Sequence, residues 1–416
     1  MTPDAAGVPG LVANLFRHSH ARVVATLVAR LGPDRLDLAE DVTQDALLAA
    51  LRTWPFRGVP ADPAAWLFQA ARNRALDRLR HEATAQRLAA RIATEPAGSA
   101  EGDVPDEVLV LLATCAALPL PREVVVPLAL SVVAGLSARE IARALLLEES
   151  TVAQRLVRAK RRLREAPALV VLRRDDASLA AALPAALDVV YLIFNEGFAP
   201  SRGEDPIRLD LIADAHRLAE ALADHPATAG SAPHALAALT AFLAARLPAR
   251  AEAGGFALLP DQDRRRWDQR LIQRGFHRLQ AAMGGGTLTR FHLEAEIAAI
   301  HASAPAWVAT DWDRIVAAYD KLLRVEPSPV VELNRAVALA ERDGAGAGLA
   351  ALEPLRQRGD LARSPWYHAT RARLLRRAGQ LEPARTAWSR ALELTEAGPA
   401  REFLIRERDR PGPVSP

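Results

Sequence analysis

Lysine and cysteine are nearly missing from this chain of 416 residues. Lys160 and Lys321 are its only lysines, and arginine supplies the rest of 53 basic side chains, so the pI is near 9.5 although the net charge is only +3. So small a net charge says little about partners, and local clustering must carry that argument. Cys115 is the single cysteine, which rules out an intrachain disulfide and a cysteine-rich metal centre and suits a reducing cytosol. Long apolar runs are also lacking. Val108–Pro121 and Val124–Leu136 both fall short of the ~18 residues that span a bilayer, and Met1–His20 has no basic start followed by an apolar stretch. The expectation is a cytoplasmic protein with no membrane span and no secretory leader.

Catalytic signatures are absent as well. Gly284-Gly285-Gly286 runs into Thr-Leu-Thr, without the Gly-Lys-Ser/Thr of a phosphate loop, and no GxSxG or HExxH occurs. His292 and Glu296 share a helix face, but His301 falls on the opposite side. No catalytic residue, metal site or cofactor is expected. Asn195, Glu196, Arg202, Glu204 and Asp205 form a polar stretch after Val189–Phe194 with two readings, a ligand or interface site, or a helix C-cap at Gly197 with solvated charges, and the second is preferred.

What is present is helix. Ala, Leu, Arg and Glu dominate, and Pro or Gly punctuates every 10–25 residues. Half the residues are hydrophobic and a quarter charged, as in ordinary globular proteins. Residues 95–105, small and acidic, read as a linker, and a second break falls near Ala166–Asp176. The expected division is 11–94, 106–165, 175–286 and 287–400. In the tail, Ile315, Tyr319 and Leu322 share the 4, 3 spacing of Ala384, Trp388 and Ala391, 69 residues on, close to two periods of ~34. Two to three degenerate TPR-like helix pairs are expected across 311–397, with Gly379 in a turn; an ordinary helical bundle is the other reading.

Three charge clusters stand out. Asp37, Asp41, Gln44 and Asp45 cover about 100° of one helix, with Leu38, Val42, Ala46 and Ala49 on the adjoining flank. Trp54, Phe56, Trp66 and Phe68 bracket a proline-rich loop, followed by a helix bearing Arg72, Asn73, Arg74, Asp77, Arg78 and Arg80. Arginine suits phosphates and aromatics suit exposed bases. The third cluster is a helix, a short turn and a second helix. Ser137 and Glu140 have capping-box spacing. In the second helix Ser150, Thr151, Gln154, Arg155, Arg158, Arg161 and Arg162 gather opposite a dry stripe of Val152, Leu156, Ala159 and Leu163. Such hydroxyl, amide and guanidinium groups can read base edges and neutralise phosphates, as in a helix-turn-helix.

In this order the clusters resemble bacterial RNA polymerase sigma factors of the extracytoplasmic-function (ECF) type. The strings that carry the resemblance are AEDVTQDALLAALRTW (39–54), DPAAWLFQAARNRALDRLR (62–80) and GLSAREIARALLLEESTVAQRLVRAKRRLRE (135–165). YLIFNEGFAPSRGED (191–205), LLPDQDRRRWDQRLI (258–272), TDWDRIVAAYD (310–320) and SPVVELNRAVALAE (328–341) are similar to the ECF subgroup with a long C-terminal TPR-like extension. The resemblance implies an all-α chain: sigma domain 2, sigma domain 4, then a helical TPR-like extension. It implies that Asp37, Asp41, Gln44 and Asp45 dock on the β′ clamp helices of core RNA polymerase. Trp54, Phe56, Trp66, Arg72, Asn73, Asp77 and Arg80 would meet the minus-ten element of promoter DNA. The second helix of the helix-turn-helix would read the minus-thirty-five element. The subgroup usually has two adjacent cysteines and a histidine before the helix-turn-helix. Here that stretch reads Thr114-Cys115-Ala116-Ala117-Leu118, so a redox or metal role there is not expected, and Cys115 should pack as a small apolar residue. Pro127 should kink or restart the helix expected over Val124–Val133.

The resulting expectation is a non-enzymatic sigma factor whose extension regulates it in cis, through an intramolecular contact or a protein partner. The competing reading is a one-component helix-turn-helix regulator with a ligand- or partner-sensing tail, which leaves the acidic face and the aromatic loop without a role.

Overall fold

The computed structural model describes residues 20, 22–80, 106–116, 118, 120–145, 147–165, 176–198, 207–252, 255–359, 361–395 and 398–410. Among these the chain is helical, apart from two-residue strands Ala251–Glu252 and Gly255–Phe256, which pair antiparallel. The linker 95–105 and the break at 166–175 lie outside the described residues. Contacts divide the chain into two compact units. One comprises 1–201 with 208–229, the other 202–207 with 230–416. The divisions expected at 175 and 286 therefore do not separate compact units. The first helices of the extension belong with the helix-turn-helix.

In the first unit, residues 22–31 form α1, Leu36–Arg57 α2 and Pro63–Arg80 α3. Leu36, Ala39, Val42, Ala46, Ala50 and Trp54 recur every three or four residues on α2 and are buried. They form one apolar stripe, and α3 packs along α2, burying Leu67, Ala71, Ala75 and Leu79. Leu38 and Ala49 of the expected flank are half-buried.

Asp106–Ala116 (α4), Arg122–Ala134 (α5), Ala138–Ala144 (α6) and Glu149–Glu165 (α7) follow. Of the kink or restart expected at Pro127, the restart does not occur: α5 runs on through it. Proline has no N–H for the Glu123 carbonyl one turn back, and the Arg155 guanidinium of α7 donates to that carbonyl at 3.1 Å. Gly135 ends α5 with φ +64°, and a Cβ there would lie 3.1 Å from the buried His20 ring. Ser137 caps α6 in a full capping box. Its hydroxyl accepts from the Glu140 N–H at 3.3 Å, and its own N–H donates to the Glu140 carboxylate at 2.8 Å.

Asp176–Phe198 (α8) packs on α4, α5 and Leu209–Asp224 (α9). By length and composition Leu179–Phe198 could cross a membrane, a stretch the sequence reading missed; half of that window is buried inside this unit. Gly197 lies within α8 and is not its C-cap. A Cβ there would fall 2.8 Å from Ile212, so the missing side chain lets α9 approach. Of the polar stretch after it, Arg202, Glu204 and Asp205 lie outside the described residues.

In the second unit, Ser231–Ala245 (α10) is apolar nearly all round and buried between Gln269–Ala282 (α11) and Arg290–Ser303 (α12). Trp312–Val325 (α13), Pro329–Asp343 (α14), Ala345–Arg358 (α15), Pro365–Arg377 (α16), Leu381–Glu393 (α17) and Pro399–Asp409 (α18) pack mainly on their chain neighbours. Ile315 and Leu322, like Ala384, Trp388 and Ala391, face these cores, and Gly379 turns between α16 and α17 with φ +75°.

Candidate nucleic-acid interface

Trp54 and Trp66 build the first part of the site. The α2 stripe holds Trp54 in the core, and the turn at Gly58, with φ +81°, sends the chain back into α3. Trp66, half-buried, meets Trp54 edge to face at 5.4 Å between ring centroids. Beside them opens a cavity of about 480 Å³ lined by Ala49, Thr53, Trp54, Arg57, Gly58, Val59, Pro60, Trp66 and Arg74. Aromatic walls beside two guanidiniums and a hydroxyl suit a flat, hydrogen-bonding ring attached to a phosphate chain. Phe56 is 88% exposed at the end of α2.

Of the other residues expected here, Asn73 and Asp77 are exposed on α3, and Arg72 donates to the Gln69 side chain at 3.3 Å. Arg80 ends α3, and its side chain lies outside the described residues. Arg74 belongs to the basic helix already singled out, but sequence reasoning missed Thr53 and Arg57 as wall residues, because their convergence with it depends on the turn at Gly58.

On α2, Asp37, Asp41, Gln44 and Asp45 do share a face. Arg78 of α3 holds Asp45 at 2.6 Å and Asp41 at 3.2 Å. The same face carries Leu48 and Leu51, 51% and 38% exposed, which sequence reasoning missed because leucines in a helix usually read as core. Asp37 is ion-paired to Arg164 of α7, and Glu40 to Lys160 of α7 at 2.6 Å. Burial pushes the Glu40 carboxyl up, and the Lys160 ammonium opposes that shift.

On α7, the stripe of Val152, Leu156, Ala159 and Leu163 is buried as expected. Ser150, Gln154, Arg158, Arg161 and Arg162 are exposed, and Thr151 is half-buried. Arg155 is half-buried and holds the Glu123 carbonyl, so the structure gives it a packing role in place of a free place on the reading face. Arg161 and Arg162 approach Glu165 at 3.8 and 3.7 Å. The base of the helix-turn-helix is fixed from the extension, where Arg208 pairs with Glu140 at 2.8 Å.

Among the described residues no group of metal-ligating side chains forms a site. The His292 ring caps α12 through Thr289, and His301 is buried against Trp307. Cys115 is fully buried, and burial pushes its thiol up to about 12, so it is a packing residue.

Three family models match successive stretches of the chain. Residues 16–84 match the Sigma-70 region 2 family and residues 118–163 the Sigma-70 region 4 family. Residues 182–283 match a family of unknown function, DUF6596. A protein of Rhizobium meliloti (strain 1021), Uncharacterized protein R00370, is 38% identical over 389 residues, covering 90% of each chain. No solved structure matches.

Proposed function

Because the chain belongs to the sigma factors of the extracytoplasmic-function type that carry a C-terminal extension, we propose that it binds core RNA polymerase as a dissociable, cytoplasmic subunit and directs it to specific promoters. The core performs the nucleotidyl chemistry and this chain supplies recognition. The observation that carries the reading is the Trp54–Trp66 cavity, which lies at the end of the helix bearing the acidic face. A minus-ten base leaving the duplex stack loses a few kcal/mol, and stacking on an aromatic wall returns ~1–3 kcal/mol per base. Asp37, Asp41, Gln44 and Asp45 give orientation and on-rate against the basic surface of the β′ clamp helices. Ser150, Thr151, Gln154 and Arg158 reach base edges of the minus-thirty-five element, with Arg161 and Arg162 on phosphates. The helical extension, with TPR-like pairs over 311–397, regulates this activity in cis.

Run-off transcription with purified bacterial core polymerase on the promoter of the protein's own operon tests the reading. Full-length protein gives a core-dependent transcript, Trp66→Ala loses most of it, and a chain ending at Ala229 changes the output. Core-independent binding to a two-fold symmetric site without a transcript establishes the one-component regulator in its place.

A further inference from the structure

The helix that carries the acidic face and the helix that carries the base-reading face are clasped together. α7 packs on the short turn Pro33–Arg35 that leads into α2. From α7, Lys160 reaches Glu40 at 2.6 Å, and Arg164 pairs with Asp37. Lys160 and Glu40 are largely buried, unlike an ordinary surface pair. A second contact joins the same two parts of the chain. Gly135, at the end of α5, faces the buried His20 ring so closely that a Cβ would stand 3.1 Å from it.

The clasp falls on the docking face of α2. Counting 100° per residue, Gln44, Leu48 and Leu51 lie within about 40° of Asp37, and Glu40 within about 60°. α7 therefore holds the N-terminal end of a face whose other end shows Leu48 and Leu51 to solvent. A partner that docks along this face must take Asp37 from Arg164. On α7, by contrast, Ser150, Gln154, Arg158, Arg161 and Arg162 stay exposed. The clasp closes the docking face and leaves the reading face open.

Reach gives the same answer. Elements at minus ten and minus thirty-five are about 25 base pairs apart, or ~85 Å of duplex at 3.4 Å per base pair. At 1.5 Å per residue, α3 and α7 are each only about 25 Å long. Held together through Lys160 and Glu40, they cannot serve both elements at once. The chain between α3 and α4, residues 81–105, is 25 residues long. Drawn out at ~3.3 Å per residue it reaches about 80 Å, enough for the two parts to separate.

We propose that Lys160 and Arg164 form an autoinhibitory clasp on Glu40 and Asp37, which keeps the free chain closed against core polymerase until docking displaces α7. The inference rests on the sigma-factor reading, because it takes the acidic face as the docking face. The affinity for core is then lowered by the fraction of chains that are closed.

The scarcity of lysine supplies the test, since Lys160 and Lys321 are the only side-chain amines. A zero-length carbodiimide joins an amine to a carboxylate only where the two are in contact. Peptide mapping of the treated full-length protein is expected to find an amide between Lys160 and Glu40. The locked chain should bind purified bacterial core polymerase at least about tenfold more weakly than the untreated one. Lys160→Arg keeps the positive charge, forms no amide and should bind core equally before and after treatment. Arg164→Ala deletes the more exposed pair and should tighten core binding about threefold, whereas a purely structural contact gives no gain. Absence of the amide, a locked chain that binds core as well as the treated Lys160→Arg control, or no gain in Arg164→Ala overturns the clasp. Failure of the sigma-factor reading is distinct: the untreated chain then binds no core at all, and the clasp falls with it.

Discussion

Lys160 of the helix-turn-helix and Glu40 of the acidic helix form an ion pair at 2.6 Å across 120 residues of chain, with side chains only 25% and 13% exposed. Arg164 and Asp37 pair beside them. Taking such a pair from water is costly, and removing one partner strands the other charge. Lys160→Met keeps the aliphatic stem and deletes the ammonium. It is expected to lower stability by ~2–3 kcal/mol at pH 7. Glu40 is a carboxyl whose folded pKa is raised by burial, so its ionisation opposes folding, and the penalty grows as pH rises through that raised value. Without Lys160 the pKa rises further. The deficit of Lys160→Met should therefore shrink as pH falls below that value, where Glu40 is neutral, and denaturation midpoints at neutral and acidic pH check this. Glu40→Gln in the same chain should recover part of the loss at pH 7.

Arg155 separates packing from recognition. Arg155→Ala leaves the Glu123 carbonyl without its donor and is expected to cost ~1–2 kcal/mol. Gln154→Ala and Arg158→Ala, both exposed, should weaken promoter binding with little change in unfolding. Pro127→Ala restores a helical N–H for the same carbonyl, so Arg155→Ala should cost less in that background. A double-mutant cycle in urea measures the coupling, and simple additivity would show that the carbonyl is not what Arg155 serves.

Leu48 and Leu51 stand on the acidic face with much of their surface in water. If that face docks on polymerase, their apolar area is buried only in the complex. Leu48→Ala/Leu51→Ala is expected to weaken core binding by about tenfold with no loss of thermal stability. Truncating core leucines would destabilise the chain instead, so measuring both quantities distinguishes the two cases.

The helix-turn-helix is legible in the sequence because its determinants are local. Ser137 and Glu140 are three residues apart, and the stripe from Val152 to Leu163 repeats within one helix. The Lys160–Glu40 pair and the Arg208–Glu140 pair have no such signature, since nothing local in a charged side chain names a partner so far along the chain. The aromatic residues around the Trp54–Trp66 cavity are visible as a cluster, but Thr53, Arg57 and Arg74 join it only through the turn at Gly58. That Pro127 does not restart its helix is hidden for a similar reason: the carbonyl its missing N–H frees is taken by a group on α7.

The change of charge pattern near Ala166 suggests a place to cut the sigma part from its extension, and the packing argues against it. α8 buries Leu187, Val189, Val190, Ile193 and Phe194 in the unit that holds the helix-turn-helix, and it covers α4 and α5. Each apolar side chain of α4 and α5 that its loss leaves in water costs ~1.5–3 kcal/mol, and a few of them exhaust the ~5–15 kcal/mol that holds a domain together. A chain ending at Ala166 also loses the Arg208–Glu140 pair that steadies α6. It is expected to expose apolar surface, bind a hydrophobic dye and melt without a sharp transition. A chain ending at Ala229 retains α8 and α9 and should unfold cooperatively. Calorimetry of the two fragments checks this, and an equally sharp transition in the shorter one would show that α4 to α7 fold without the extension's first helices.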